Sequence, residues 1–500
     1  MTRPPRRPAR RSDLARLAGP LTLLVALLSG CAAGPDYVKP KLDLPAAWTV
    51  AAPWRGSRPD DAAPKGAWWQ RFGDPALDAL MAQALASNPT LELAGARLAQ
   101  SRAALSATSA SLLPQVGLSE RATRQKISAN RPLTSYSGSN FSTVQNDLTL
   151  AMTVNYELDL TGRIQRSVEG ATASAEQAAA DLENIRLLLT ADLAANYVNL
   201  RQIDSELDVL ARAVALQRRA LALVSTRHDL GAATGLDLAQ QQALLDSTLV
   251  QVDLLRRQRS AFEHAVATLA GIPAPGFVLA PEPGEGASPR LPQLSQLQLG
   301  LPSDLLERRP DIAAAERAVA AANAQIGIAS TAYFPSITLG AGGGVDSRSA
   351  VTLFDAPSLL WSVGLSASQL LFDGGRIQAG ITAARAGHAG AVANYRRVVL
   401  AAMQEVEDGI SGLAALDSAA AQAGVAVAST RRVLAMSTAR YEGGASAYLD
   451  VIVAQQALLG SERQASQLRG QQLLTAVLLV KALGGDWQPA AALASAKPAE

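Results

Sequence analysis

The second half of this 500-residue chain repeats the first, in the same order and at almost constant spacing. Leu112-Leu113-Pro114-Gln115-Val116-Gly117-Leu118 returns as Tyr333-Phe334-Pro335-Ser336-Ile337-Thr338-Leu339. Gly162-Arg163-Ile164-Gln165 returns as Gly375-Arg376-Ile377-Gln378, and Arg227-His228-Asp229-Leu230-Gly231 as Arg440-Tyr441-Glu442-Gly443-Gly444. Ala270-Gly271 has its counterpart at Gly484-Gly485 or one residue before. The offset is 221 positions at Pro114 and 213 at Gly162, so the first half carries eight extra residues between those points. A repeat constrains the fold more than local propensity does, because each copy must build the same unit. Two copies predict two equivalent blocks around one axis.

Four segments alternate with period two, as half-buried strands do. In the clearest, Leu148, Leu150, Met152, Val154, Tyr156 and Leu158 alternate with Thr149, Ala151, Thr153, Asn155 and Glu157. Trp361, Val363, Leu365 and Ala367 alternate with Ser362, Gly364, Ser366 and Ser368, while 335–345 and 114–123 alternate more weakly. Each is close to the roughly 9–11 residues that a tilted strand needs to cross an outer membrane. Hairpins on a soluble domain are the alternative. An apolar face backed by Ser, Thr, Gly and Asn fits a lipid face and a wet lumen better. Four strands cannot close a barrel, which takes about eight, and open sheet edges are not tolerated in lipid. If these strands span a membrane, several chains must share one barrel.

Between the strand pairs the period changes to that of a helix. From 162 to 227, apolar residues including Ile164, Val168, Leu182, Ile185, Leu189, Leu193, Tyr197, Leu200, Ile203, Leu207, Leu210 and Val214 recur at spacings of three and four without a proline. That predicts about 100 Å of helix at 1.5 Å per residue, and 375–441 repeats it. Two shorter helices accompany each long one: 89–112 and 236–269 in the first half, 310–332 and 449–483 in the second. At about 36 Å and about 51 Å they nearly match one long helix, so the economical packing stacks them end to end beside it. Asn88-Pro89 and Arg309-Pro310 set helix starts, and the glycines at 231–235 and 443–444 stop the long helices.

The basic excess sits at the front, in Arg3, Arg6, Arg7, Arg10, Arg11 and Arg16, ahead of the apolar run 17–28 and Ser29-Gly30-Cys31. That order reads as a secretory signal peptide, too short to span a bilayer. Leu28-Ser29-Gly30-Cys31 resembles a bacterial lipobox, which predicts acylation of Cys31, the only cysteine in the chain. Ala32 after it favours, by the same resemblance, sorting to the outer membrane. No later segment is apolar for the roughly 18 residues of a membrane helix. The chain therefore divides into a leader (1–30), a lipidated N-terminal and equatorial segment (31–88), a first repeat (89–272), a linker (273–309), a second repeat (310–485) and a tail (486–500). A formal net charge of +2 gives no reason to expect nucleic acid.

Beyond these patterns the chain resembles the TolC/OprM-like (NodT-type) outer-membrane efflux lipoproteins. The resemblance rests on Cys31 with Gly34-Pro35-Asp36-Tyr37, on Trp68-Trp69 with Phe72-Gly73-Asp74-Pro75-Ala76-Leu77, on Leu301-Pro302-Ser303-Asp304-Leu305-Leu306-Glu307-Arg308-Arg309-Pro310-Asp311-Ile312, and on Phe334-Pro335-Ser336-Ile337. It implies a mainly α fold with membrane β: a homotrimer sharing a twelve-stranded barrel, continued into the periplasm by a long α-helical barrel. It further implies an exit duct that passively conducts small molecules or drugs from a periplasmic membrane-fusion adaptor and an inner-membrane pump of RND, MFS or ABC type. No cofactor is implied beyond the lipid on Cys31.

The resemblance also locates a functional region at the turns joining long and short helices. Gly231, Gly235, Gly443, Gly444 and Ser446 are the expected adaptor contacts, although helix capping alone accounts for the glycines and both roles can coexist. Tyr441 matches a family tyrosine that bonds a facing helix, and Asp237 matches its partner. Asp450, the repeat counterpart of Asp237, would place three carboxylates around a trimer axis, with Leu449 as an apolar constriction; for either aspartate an N-cap role is the alternative. Ser446 stands where some relatives have Arg, and Val453 where a second acid occurs, which predicts fewer polar links in the closed tip. A protein-secretion duct and a structural periplasm-spanning coiled coil are competing readings. An enzyme is not indicated, since His228, His264 and His388 are scattered and show no ligand or nucleophile spacing.

Overall fold

The computed structural model describes residues 33–42, 67–128, 143–280 and 309–485. The leader, Cys31, residues 301–308 of the long motif and the 486–500 tail lie outside them. In order the elements are α1 (Pro75–Ser87), α2 (Pro89–Ser109), β1 (Gln115–Ile127), β2 (Thr143–Leu158), α3 (Arg163–Asp229), α4 (Gly235–Leu269), α5 (Pro310–Thr331), β3 (Ser336–Ser347), β4 (Leu359–Ser368), α6 (Arg376–Glu442) and α7 (Tyr448–Ala482). The repeat holds to the residue in the helices: α3 and α6 are both 67 residues, and α4 and α7 are both 35. The eight extra residues of the first half are shared between the connection and the strands: the β1–β2 connection has 15 residues against 11 between β3 and β4, and β1 and β2 have 13 and 16 against 12 and 10; 129–142 is outside the described residues.

Helix α1 was not legible as a helix in the sequence pattern. Its start is chemically explicit: the Asp74 side chain accepts from the backbone N–H groups of Ala76 (2.9 Å) and Leu77 (3.1 Å), with Pro75 in the first turn. This is an N-cap followed by the one position where proline costs no hydrogen bond.

The chain forms two compact units. One comprises Met1–Pro40, Ala99–Gln177 and Glu316–Ala393; the other comprises Lys41–Leu98, Ala178–Ala315 and Asn394–Glu500. The first holds a four-stranded antiparallel sheet in the order β1-β2-β3-β4, so both edges belong to the outermost strands. Register puts the apolar residues on one face: Val116 opposes Val154, Val154 opposes Ala341, and Ala341 opposes Val363, while Leu118, Met152, Gly343 and Trp361 form the next row. Trp361, Val363 and Leu365 are exposed in the single chain. The opposite face carries Ser119, Thr149, Thr153, Asn155, Thr338, Ser362 and Ser366. Strands β1 and β2 are longer than the alternation predicts. Glu120, Arg121, Arg124 and Lys126 are charged on both faces, so hydrophobic alternation fades while the backbone ladder continues.

In the same unit the segment after the lipobox is held down. Ala33 N–H bonds the Thr161 carbonyl (3.0 Å), Asn323 donates to the Pro35 carbonyl (2.9 Å), Arg166 pairs with Asp36 (2.7 Å), and Tyr37 donates to Glu316. Gly34 lies on Gly327, where a Cβ would be 2.4 Å from the Gly327 Cα.

The second unit is built around Trp68, Trp69 and Phe72, packed with Leu77 and Met81 of α1, Leu193 and Tyr197 of α3, Val266 of α4, Val406 and Ile410 of α6, and Val477 and Leu479 of α7. Trp68, Trp69 and Phe72, three of the chain's few aromatics, are thus concentrated where these helices converge. Burial of such rings stabilises by about 1.5–3 kcal/mol each. The end-to-end stacking of short helices is visible in both halves. Asn88, preceding α2, donates to the Leu269 carbonyl at the end of α4 (2.8 Å). Its repeat counterpart Arg309, preceding α5, donates to the Ala482 carbonyl at the end of α7 (3.0 Å) and pairs bidentately with Asp311 and singly with Glu405. Burial disfavours the Arg309 charge, but Asp311 and Glu405 outweigh it and hold its pKa above the ordinary value. Part of α6 is long and apolar enough for a membrane helix by composition. Only 17% of that stretch is buried in the single chain; Tyr395, Val399, Ala402 and Val406, in the first half of α6, are buried, and Glu405 beside them pairs with Arg309.

A candidate gate at the helical tips

Both long helices end in the same motif. The amide of Gly231 bonds the His228 carbonyl (2.9 Å) and that of Ala232 bonds the Arg227 carbonyl (2.7 Å); Gly444 bonds Tyr441 (3.0 Å) and Ala445 bonds Arg440 (2.8 Å). This pair of bonds closes a helix around one left-handed residue. Gly231 and Gly444 are that residue, at φ +69° and +72°, where a side chain is costly. Gly235 and Gly443, expected to act likewise, do not: Gly235 begins α4, and neither has positive φ.

The return helices start differently. Thr234 and Asp237 form a reciprocal box in which the Asp237 N–H donates to Thr234 Oγ1 (3.2 Å) and Asp237 Oδ2 accepts from the Thr234 N–H (3.0 Å) and hydroxyl (2.8 Å). In the second half Ala447 replaces Thr234, the cap has no side-chain bond, and the Asp450 N–H reaches only the Ala447 carbonyl (3.2 Å). The N-cap alternative describes neither aspartate: the caps are Thr234 and Ala447, and Asp237, as the third helical residue, completes a capping box that Asp450 does not. Asp450 is exposed, and among the described residues its carboxylate has no partner. Leu449 beside it and Leu236, its counterpart, are both exposed.

The tip is held together by a residue that sequence reasoning passed over. Tyr448, the first residue of α7, is buried and donates to Gln241 Oε1 on α4 (2.7 Å), while Gln241 Nε2 donates to the Gln217 carbonyl on α3 (3.0 Å). Burial, then the neighbouring Tyr441 and the Asp237 charge, push the Tyr448 hydroxyl up to about 12. Around it pack Val224, Leu244, Val451 and Ile452, with Ala233, Leu238, Leu434 and Tyr441 at the margin. The Tyr441 ring lies 4.9 Å from that of Tyr448, and the Arg227 guanidinium stands over the Tyr441 ring, 5.0 Å from its centroid. The expected Tyr441–Asp237 link is not made within the chain. Asp237 is engaged by Thr234, and both Tyr441 Oη and Ser446 Oγ are buried without a hydrogen-bond partner. The box was findable, since a Thr-x-x-Asp pattern ahead of an apolar run is its signature. Tyr448 was not, because its repeat counterpart is Gly235 and its partner is far away in sequence.

Among the described residues no group of three or more His, Cys, Asp or Glu is placed to hold a metal ion. The arrangement can bind surfaces, open and close, and present charge; it contains no nucleophile–base pair. A sheet with a lipid-ready face, joined to paired helical hairpins ending in matched turns, defines a subunit of an outer-membrane conduit.

The pattern of the family described as outer membrane efflux protein matches residues 80–272 and 301–485. The toluene efflux pump outer membrane protein TtgF of Pseudomonas putida is 32% identical over 474 residues, covering 93% of this chain and 96% of that protein. The pyoverdine export outer membrane protein OpmQ of Pseudomonas aeruginosa is 32% identical over 466 residues, covering 92% and 95%. The solved outer-membrane channel OprN superposes with a TM-score of 0.84 at 29% identity, covering 92% of this chain and 100% of that one. VceC from Vibrio cholerae superposes with a TM-score of 0.77 at 27% identity, covering 83% and 98%. The chain belongs to the outer membrane efflux protein family. It is the outer-membrane exit duct of an efflux system, with its helices on the periplasmic side.

Proposed function

We propose that three copies of this chain form one duct, each contributing four strands to a closed twelve-stranded barrel. The observation that carries this reading is that β1 and β4 are the edges of a four-stranded sheet that gathers its apolar residues on one face. Such edges are untenable in lipid until another copy covers them. The N-terminus is processed ahead of Cys31, whose acyl chains anchor each copy. The turns at Gly231 and at Gly444 to Ser446 receive a periplasmic adaptor. The duct is passive and carries small molecules. Transport of such molecules by pumps that include TtgF or OpmQ supports this cargo class, while the pump chooses the cargo.

In the closed tip, Leu449 forms the apolar constriction and Asp450 from three copies forms a ring that favours cations. Tyr441, whose hydroxyl has no hydrogen-bond partner among the described residues, bonds a neighbouring element in the assembled duct. The test uses the lone Cys31, which acylation removes from thiol chemistry. A Ser446→Cys variant then carries one free thiol at the tip, and crosslinked partners from intact cells are identified by mass spectrometry. Capture of a periplasmic adaptor is the expected result. Capture of this chain alone, or of cell-wall proteins, sinks tip docking and favours a structural spacer.

A further inference from the structure

The β1–β2 hairpin rises beyond the other two strands, and its lipid-facing side changes character where it does so. Register fixes the faces without ambiguity: Leu118 opposes Met152, Glu120 opposes Leu150, Ala122 opposes Leu148, Arg124 opposes Asn146 and Lys126 opposes Val144. All these residues share the face that carries Trp361, Val363 and Leu365 further along the sheet. The apolar run from Leu148 to Leu158 is about 34 Å long at 3.4 Å per residue. Tilted by about 40°, it is about 26 Å tall, close to the ~25 Å apolar band of an outer-membrane barrel. The last row shared by all four strands is Glu120, Leu150, Val345 and Leu359.

Arg124 and Lys126 lie one and two rows beyond Leu148. On the same tilt that places them about 5 and about 10 Å above the rim of the band, at the depth of lipid headgroups. They are on the extracellular side, since the helices enter and leave the sheet at its other end. Both are exposed, and neither has an ion-pair or hydrogen-bond partner among the described residues. The contrast with Arg121 is informative. Arg121 points to the lumenal face and is neutralised across the strand by Asp147 at 2.9 Å. The acid on the lipid-facing side of β1 is Glu120, one row inside the rim and four residues from Arg124. That is about 14 Å along the strand, too far for a pair.

We propose that Arg124 and Lys126 form an outer-leaflet binding site for phosphorylated lipid headgroups, gripping phosphate while the apolar face below holds the acyl chains. Arg matches phosphate oxygens bidentately and Lys adds a point charge. Acyl contact below and phosphate contact above make the ligand a phosphorylated glycolipid or phospholipid rather than a free anion. Exposure to a leaflet of such lipids would orient the barrel and fix its depth.

The test counts lipid retained by the full-length protein in detergent, using native mass spectrometry. Diphosphorylated lipid A is compared with dephosphorylated lipid A of the same acylation, for wild type, Arg124→Ser with Lys126→Ser, and Arg121→Ser. Wild type and Arg121→Ser should retain the phosphorylated form at least ~5-fold better, the factor expected from one basic residue near an anionic lipid surface; the double variant should lose that preference. Equal retention of both lipids by wild type overturns the proposal without reference to any variant. So does an unchanged preference in the double variant, or displacement of the lipid by equimolar inorganic phosphate.

Discussion

Tyr448 donates a 2.7 Å hydrogen bond to Gln241, a residue 207 positions earlier in the chain, and Gln241 passes the contact on to the Gln217 carbonyl. One phenol therefore ties the start of α7 to α4 and α3, at the tip where the two repeats face each other. Tyr448→Phe would leave Gln241 Oε1 buried without a donor, a defect of about 1–3 kcal/mol. The expected readout is faster amide exchange over 441–452 and a larger or more frequent single-channel opening, with the barrel unaffected. An unchanged exchange rate would show that the bond does not hold the tip.

The same group makes a pH prediction. The hydroxyl of Tyr448 is raised in the folded protein to about 12 from the ordinary 10.0. A folded value above the unfolded one stabilises the neutral form. That stability is complete below pH 10 and is lost as pH rises from 10 towards 12. The protection of tip amides relative to their intrinsic exchange rate should thus be constant up to about pH 10 and fall above it, in parallel with tyrosinate absorbance. The Phe variant should lack this alkaline step.

The glycines at the turns are not equivalent. Gly444 holds φ +72°, so Gly444→Ala should destabilise the turn by about 1–2 kcal/mol. At Gly443 a Cβ would meet only the Ala439 carbonyl at 3.4 Å and the Arg440 carbonyl at 3.7 Å, so Gly443→Ala should lie within about 0.5 kcal/mol of wild type. Hydrogen exchange at the tip separates the two. Equal effects would mean that adaptor docking and not backbone geometry explains both.

A parallel contrast exists in the sheet. A Cβ at Gly344 would stand 2.2 Å from the Leu150 carbonyl oxygen and 2.6 Å from the Ala151 Cα, both backbone atoms. At Gly342 the nearest atom is the Ser362 hydroxyl at 3.4 Å. Gly344→Ala should break the β2–β3 ladder and abolish heat-resistant assembly in the outer membrane. Gly342→Ala should assemble normally.

The two tip aspartates should separate by function. Asp237→Ala removes a capping box and should cost about 0.3–1.5 kcal/mol in local stability, with little effect on conduction. Asp450→Ala should leave stability within about 0.5 kcal/mol and reduce cation preference, read as a shift in reversal potential across a salt gradient. If Asp450→Ala leaves selectivity unchanged, the carboxylate ring does not exist.

The sequence by itself determined the repeat, the four strands and six helices of its two copies, and the edge problem that demands more than one chain. Those follow from local chemistry: period two where one face meets lipid, period 3.6 where one face meets a helix, and Gly or Pro where the backbone must turn. Even the Thr234–Asp237 box was local enough to be read. The tertiary structure alone decided the rest. It gathered Trp68, Trp69 and Phe72 into the convergence of distant helices and joined Tyr448 to Gln241. It also set Arg124 and Lys126 on the lipid-facing side of a hairpin whose hydrophobic signal had already faded. Each of these depends on partners brought together by packing or by register, which no window along the chain contains.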